Sequence, residues 1–118
     1  MAPRSPPDAA VLLDLMADTL FVLDAHGLLL FVSPSCEQLL GYRSGDLIGQ
    51  YMIEFVHPDD RGATLNAVWR IMSAPAPGRF RNRWLHKDGR EVPIEWAARW
   101  SAEHQVRVAV GREIVAAS

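Results

Sequence analysis

The chain has 118 residues, 49% of them hydrophobic and 22% charged, which is enough for one globular domain with its own hydrophobic core. The formal net charge is −2 with acids and bases interspersed, which argues against nucleic acid or an anionic membrane surface as a partner. No apolar run approaches the roughly 20 residues of a membrane span, and the single cysteine cannot form an intramolecular disulfide, so we expect a cytoplasmic protein.

The first predicted element is a helix over residues 6–17, after a tail at residues 1–4. Ser5 is placed to cap it, Pro6 takes the first helical position, and Asp8 follows three residues after the cap. Helical spacing then gathers the apolar side chains on one face: Leu12, Leu15 and Met16.

A hairpin and three short helical pieces are predicted next. In "LFVLDAHGLLLFVS" two β-prone runs flank the turn "DAHG", where Gly27 allows a positive φ. Between Ser33 and Val56 the pattern breaks into "SPSCEQLLG", "SGDLIG" and "YMIEFV", with Ser33 as the predicted cap of the first piece and Gly41 as its stop. Cys36 falls in that first piece and is expected to be a small buried apolar residue.

The stretch "FVHPDDR" places His57, Asp59 and Asp60 within four positions, as a metal site or a proton-transfer site would. A metal site of recognisable type needs a second cluster of ligands, which the sequence does not supply. Pro58 instead fits a first helical turn, where acidic residues are favourable, so we interpret the stretch as a helix start with no catalytic role. The helix that follows is predicted to run about four turns to "APAPG".

Three strands complete the chain, at 79–87, at 91–102 and in "VRVAVGREI". The order β-β, helices, β-β-β predicts an α+β fold, one antiparallel sheet with helices packed on one face. Alternation places Asn82 and Trp84 on the inner face with Trp96, and Trp100 at the open end of that face. It leaves a valine-rich outer face on the last strand at Val106, Val108 and Val110.

Five stretches, in order, resemble the successive signatures of a PAS sensory domain: "LFVLDAHGLLLFVSPSCEQLLGY", "GDLIG", "FVHPDD", "HKDGREV" and "VAVGREI". The resemblance covers residues 9–114. It implies a five-stranded antiparallel sheet in the order 2-1-5-4-3, with a ligand cavity between the sheet and the long helix. Glu113, Ile114 and Val115 depart from the family's "D-I-T", which leaves the coupling to an output domain open.

The resemblance divides the chain into a tail with a capping helix at 1–18, a PAS domain at 19–114 and the start of a linker at 115–118. The implied function is sensory or regulatory, within a larger signalling protein of the histidine kinase or diguanylate cyclase/phosphodiesterase type. A ligand cavity would be lined by Leu23, Phe31, Phe55, Leu65, Val68, Trp69, Met72, Asn82, Trp84, Ile94, Trp96 and Ala98, with Asn82 and Trp84 as polar groups. The alternative is a core that these side chains fill completely, in a domain that only dimerises.

No nucleophile with a base, and no pair of converging carboxylates, emerges from the periodicity, so we expect no enzymatic activity in this domain. Haem-binding relatives in the family carry a histidine in the long helix, and this sequence has none between Pro58 and Met72. His26, His86 and His104 fall in or beside turns and are expected to face solvent. Flavin is the cofactor left open, because the position of Trp69 resembles a tryptophan of flavin-binding PAS domains, although Trp84 stands where those domains have an asparagine.

The apolar face of the first helix and the valine face of the last strand both need cover. They can cover each other within one chain or across a twofold axis. PAS domains commonly dimerise, and we therefore predict a homodimer interface at Leu12, Leu15, Met16, Val106, Val108 and Val110.

Overall fold

The computed structural model describes residues 5, 7–9, 12, 15–74 and 76–115. Within these residues, five strands form one antiparallel sheet in the order β2-β1-β5-β4-β3, as predicted. The strands are β1 (Thr19–Leu23), β2 (Leu29–Val32), β3 (Gly78–Leu85), β4 (Glu91–Ser101) and β5 (Val106–Glu113). No helix in the described part of the chain is long and apolar enough to cross a membrane.

The helical insert lies between β2 and β3. It consists of α1 (Cys36–Leu40), α2 (Ser44–Leu47), a 3-10 turn at Met52–Phe55, a second 3-10 turn at Pro58–Asp60, and α3 (Arg61–Ser73). Gly41 ends α1 with a φ of 80°, as predicted. The cap of α1 is Ser35 rather than Ser33, because the Ser33 hydroxyl instead accepts the N–H of Leu20 at 2.8 Å and ties the end of β2 to β1.

The β1–β2 hairpin is also confirmed. Its turn is held by Asp24, whose Oδ1 accepts the N–H groups of His26 at 2.8 Å and Leu28 at 3.0 Å. These hydrogen bonds, that from Leu28 first, hold the pKa of Asp24 below its ordinary value. Gly27 completes the turn with a φ of 84°, which an L side chain adopts only with strain.

The predicted N-terminal helix falls partly outside the described residues, as do residues 1–4 and Pro6. Ala9, Leu12 and Leu15 are helical, and the N–H of Leu12 donates to the carbonyl of Asp8 at 3.1 Å. The side chains of Leu12, Leu15 and Met16 are exposed.

The buried face of α3 differs from the prediction. Thr64, Ala67, Val68 and Ile71 face the sheet, whereas Leu65 and Trp69 point away from it. The cause is close packing, because a Cβ added at Gly78 on β3 would lie 2.7 Å from Cγ1 of Ile71. A helix this near the sheet presents its smaller side chains, and a tryptophan would not fit between them.

Candidate ligand-binding site

The "FVHPDDR" stretch forms a helix start, as predicted. His57 precedes the 3-10 turn, Pro58 takes its first position, and Nδ1 of His57 accepts the N–H of Asp59 at 3.1 Å. On its other side, Nε2 of His57 lies 3.1 Å from Oε1 of Glu91. Among the described residues, no group of three or more His, Cys, Asp or Glu side chains is placed to hold a metal ion.

Asp60 has a further structural role, which sequence periodicity did not indicate. Its Oδ2 accepts both the backbone N–H of Arg83 at 2.8 Å and the Nε–H at 2.9 Å, and its Oδ1 accepts from Nη2 at 2.8 Å. The side-chain hydrogen bonds from Arg83 lower the pKa of Asp60 to about 2. This pair joins the start of α3 to the middle of β3.

We expect Asp60→Asn to lower the free energy of unfolding by about 1–2 kcal/mol at neutral pH, because the bidentate pair is partly shielded from solvent, with side chains 35% exposed at Arg83 and 23% at Asp60. The folded-state pKa is depressed, so this stabilisation is fully present above the unfolded value of 3.8 and is lost as the pH falls toward 2. Urea unfolding of the wild type and the variant between pH 7 and pH 2 checks this pH dependence. Asp59→Asn, at the exposed neighbouring position, is the matched control and should change stability by less than about 0.5 kcal/mol.

An aromatic cluster fills the space between the sheet and the helical insert. The ring centroid of Phe21 lies 4.9 Å from that of Trp96 and 5.4 Å from that of Trp84, and the two indoles are 5.7 Å apart. Both tryptophans are buried and inward-facing, as strand alternation predicted. Phe55 stacks on the far side of Trp84, with centroids 5.9 Å apart.

A cavity of about 20 Å³ remains inside this cluster. That volume is little more than the ~10–15 Å³ that one water molecule requires. The core is therefore almost, but not completely, filled. The lining residues are Phe21, Leu23, Met52, Phe80, Asn82, Trp84, Trp96, Arg107 and Ala109.

Asn82 makes one hydrogen bond through each of its two side-chain amide atoms. Its Oδ1 accepts the indole Nε1–H of Trp96 at 2.7 Å, and its Nδ2 donates to Oγ1 of Thr64 at 3.1 Å. The Thr64 hydroxyl in turn donates to the carbonyl of Asp60 at 2.7 Å. This relay connects Trp96 on β4 and Asn82 on β3 to the first turn of α3.

Two donors at the cavity have no partner among the described residues. They are Nε1 of Trp84 and Nη1 of Arg107, both fully buried. The Arg107 residue is 3% exposed, and burial lowers its pKa to about 10, so the guanidinium remains charged near neutral pH. Apolar patterning does not single out Arg107, although the outward-facing valines of β5 place it on the inner face.

A second, larger space adjoins the cavity and leads toward the surface. It has a volume of about 110 Å³ and lies between the β1–β2 turn, the 3-10 turn at Met52–Phe55 and α3. Met52 and Arg107 line both spaces, and the exposed side chains of His26 and Leu65 stand at the outer one. We call this space the outer opening.

The predicted lining residues separate into four groups. Leu23, Asn82, Trp84 and Trp96 line the cavity, and Leu65 and Val68 line the outer opening. Four others belong to the core or pack against it without lining either space: Phe55, Met72, Ile94 and Ala98.

For the remaining two residues, Phe31 and Trp69, the predicted placement at the cavity is wrong. Phe31 pairs with Val22 on the outer face of the sheet, and Phe21 takes the inner position. Trp69 is 72% exposed because α3 turns its smaller side chains inward.

The cysteine and histidine predictions are confirmed with one exception. Cys36 is buried, its Sγ lies 3.3 Å from the carbonyl of Tyr42, and burial raises the pKa of its thiol. His26 and His104 are exposed. The side chain of His86, by contrast, is only 15% exposed, because its ring packs against Gly41, where an added Cβ would lie 2.5 Å from Cε1.

The cavity is much smaller than a flavin site. Sites for ligands of that size have volumes of roughly 300–1,000 Å³, whereas the cavity measures about 20 Å³ and is walled by two indoles. Trp69, the residue whose position resembles that of a flavin-adjacent tryptophan, lies on the solvent side of α3.

Comparison with known proteins supports the fold described above. A family model described as PAS fold matches residues 29–111. The White collar 2 protein of Neurospora crassa is 34% identical over 68 residues, which are 58% of this chain and 13% of that protein. The chain thus spans a small part of that relative's length.

Solved structures give the same result. The PAS domain of a protein from Colwellia psychrerythraea has a TM-score of 0.79 and 25% identity, covering 89% of this chain and 92% of that one. The PAS domain of the RpfR quorum-sensing receptor of Cronobacter turicensis was solved in complex with BDSF. It has a TM-score of 0.71 and 16% identity, and the match covers 85% of this chain and 96% of that one. With a family match over most of its length and the same sheet topology, the chain belongs to the PAS-fold family.

Proposed function

We propose that this PAS domain senses a small molecule, which binds at the core cavity and changes the conformation of the sheet without being chemically converted. The observation that carries the proposal is the pair of unpartnered buried donors, Nε1 of Trp84 and Nη1 of Arg107. A buried donor without an acceptor costs roughly 1–3 kcal/mol, and a charged one costs more. A ligand that supplies acceptors removes that cost, and the RpfR domain is a precedent for a PAS fold in complex with a small molecule.

The position of Arg107 would let a bound ligand affect the outer face of the sheet. Arg107 lies on β5, which pairs with both β1 and β4. Its neighbours Val106 and Val108 point to the opposite face of the sheet, so a shift of β5 around a ligand moves that face as well.

The signal would pass to a further domain of a longer, cytoplasmic protein. In this proposal residues 19–114 are the sensor, residues 1–18 a tail and capping helix, and residues 115–118 the start of a linker. The output would be of the histidine kinase or diguanylate cyclase/phosphodiesterase type. The small share of White collar 2 that the chain matches is consistent with one domain among several.

The binding proposal is tested by titrating isotope-labelled protein with a small-molecule library and following the indole N–H resonances. A ligand at the cavity should shift the Trp84 resonance, while the exposed indole of Trp69 serves as the internal control. If no compound shifts Trp84, and a crystal structure finds one ordered water bridging Trp84 and Arg107, the cavity is a structural water site and the sensing proposal fails.

We further propose that the domain is a homodimer. Val108 is exposed on the outer face of the sheet, with Val106 and Val110 beside it, and Leu12, Leu15 and Met16 are exposed on the N-terminal segment. Because Leu12, Leu15, Met16 and Val108 stay exposed among the described residues, we place these two apolar surfaces against a second copy. Burying such side chains is worth roughly 1.5–3 kcal/mol each.

Val108→Asp should weaken the dimer at least about tenfold, because it buries an unpaired carboxylate in the interface. Sedimentation equilibrium measures the change in the dimer dissociation constant. Trp69→Asp introduces the same charge on the exposed side of α3 and should leave the dimer intact. A wild-type chain that sediments as a monomer at high micromolar concentration would contradict the proposal.

A further inference from the structure

We infer that the ligand of this cavity is a small carboxylate with a short apolar body, an inference that rests on the sensory function proposed above. The carboxylate would lie between Arg107 and the indole N–H of Trp84, and the apolar body would extend into the outer opening. Three features of the site select this class: the sign of its charge, the number of its unpaired donors, and the shape and polarity of the remaining space.

The charge at the cavity is positive and is not neutralised by an ion pair. Arg107 forms no ion pair with any described residue, and Asp24, the acid that acts on it, accepts hydrogen bonds within its own turn. A buried guanidinium without a directly paired carboxylate is unfavourable. An anionic ligand supplies the missing charge, which a neutral or cationic ligand would not.

The unpaired groups are donors only. A guanidinium and an indole nitrogen offer N–H groups and no acceptor, and Asn82, the amide at the same cavity, is already engaged on both its oxygen and its nitrogen. The two oxygens of a carboxylate can accept from these two donors, and its single negative charge balances the single positive charge of the guanidinium. A phosphate would bring a second charge and further oxygens for which the cavity has no donors.

The rest of the space is apolar and short. Beyond Arg107 the outer opening is lined by Met52, Ile53, Leu65 and Val68, among others. Its volume of about 110 Å³ is somewhat below the ~150 Å³ of an engineered apolar cavity that holds benzene. A chain of a few carbons fits there, whereas a long acyl chain would have to project past Leu65 into solvent.

The experiment compares hexanoate with neutral hexanol, using the full chain and following the Trp84 indole resonance. We expect saturable binding of hexanoate, at least tenfold tighter than hexanol. Arg107→Met should weaken hexanoate binding at least tenfold. Trp84→Phe, followed through the Trp96 indole resonance instead, should weaken it several-fold. The Arg107→Met variant should remain folded, because it replaces an unpaired buried charge with an apolar side chain of similar length.

Arg99→Met is the matched control. Arg99 is exposed on the outer face of β4, so this variant removes a positive charge without touching the cavity and should bind hexanoate as the wild type does. If hexanol binds as tightly as hexanoate, or Arg107→Met binds hexanoate unchanged, the carboxylate class is wrong while a sensory site at the cavity stands. If neither compound shifts Trp84 and the library screen also finds no ligand, the proposed function fails with it.

Discussion

Replacing Trp96 with alanine is expected to lower the free energy of unfolding by about 3–5 kcal/mol, the usual range for a buried aromatic residue. Trp96 is 3% exposed, and its indole packs against Phe21 at a centroid distance of 4.9 Å and against Phe80 at 6.3 Å. Alanine would leave a large void and would also remove the donor to Oδ1 of Asn82. Urea unfolding followed by circular dichroism measures the change.

Two comparison variants separate the contributions. Trp96→Phe keeps a six-membered aromatic ring but removes the indole N–H and the five-membered ring, so we expect the free energy of unfolding to fall by about 1–3 kcal/mol from the unpaired acceptor on Asn82 and the lost ring atoms. Trp69→Ala, on the exposed side of α3, should change stability by less than about 0.5 kcal/mol. An equal loss from Trp69→Ala and Trp96→Ala would mean that α3 presents its other face to the sheet.

The strands were easier to predict from the sequence than α3, for a geometric reason. Period-two alternation leaves only two choices of face, and the large aromatic side chains of β3 and β4 decide between them. For α3, two overlapping sets both satisfy the helical spacing: Leu65, Val68, Trp69 and Met72, or Thr64, Ala67, Val68 and Ile71. The first set is the more apolar, but the structure buries the second.

The choice between these sets depends on the partner surface, which the helix sequence does not contain. Gly78 lets Ile71 approach β3 closely, and Asn82 needs the Thr64 hydroxyl as its acceptor. If α3 buried its more apolar face, the Asn82 amide would lose this hydrogen bond. The free energy lost there would be about as large as the free energy gained from the extra apolar burial. Hydrophobic periodicity alone therefore selects the wrong face of this helix.

The position of the cavity follows from the fold, but its chemistry depends on one residue that apolar patterning overlooks. Alternation along β5 puts Arg107 inside, yet a charged residue on an inner face runs against the ordinary distribution of burial. Phe31 shows a related difficulty, because the register of β1 with β2 shifts between Val22 and Leu23. Such an irregularity reverses the faces beyond it and has no signature in the hairpin sequence.

Gly111→Ala is the second substitution with a large expected effect. It should lower the free energy of unfolding by about 1–3 kcal/mol through overpacking. Gly111 lies opposite Trp96 in the β4–β5 pair, and a Cβ added there would lie 2.7 Å from Cζ3 of the Trp96 ring. Alanine in a strand otherwise gains about 0.5–1 kcal/mol over glycine, so a net loss identifies the clash. The displaced indole would also strain its hydrogen bond to Asn82.

The control for this substitution is Gly62→Ala in α3, where no atom outside the backbone of the helix itself lies within 4 Å of the added Cβ. That change should stabilise the protein by about 0.5–1 kcal/mol, as alanine does in a helix. In a Trp96→Leu background, which removes the distal ring atoms, Gly111→Ala should lose most of its cost, and the double-mutant cycle gives the coupling directly. Equal costs of Gly111→Ala in both backgrounds would place the strain in the β5 backbone rather than at the wall of the cavity.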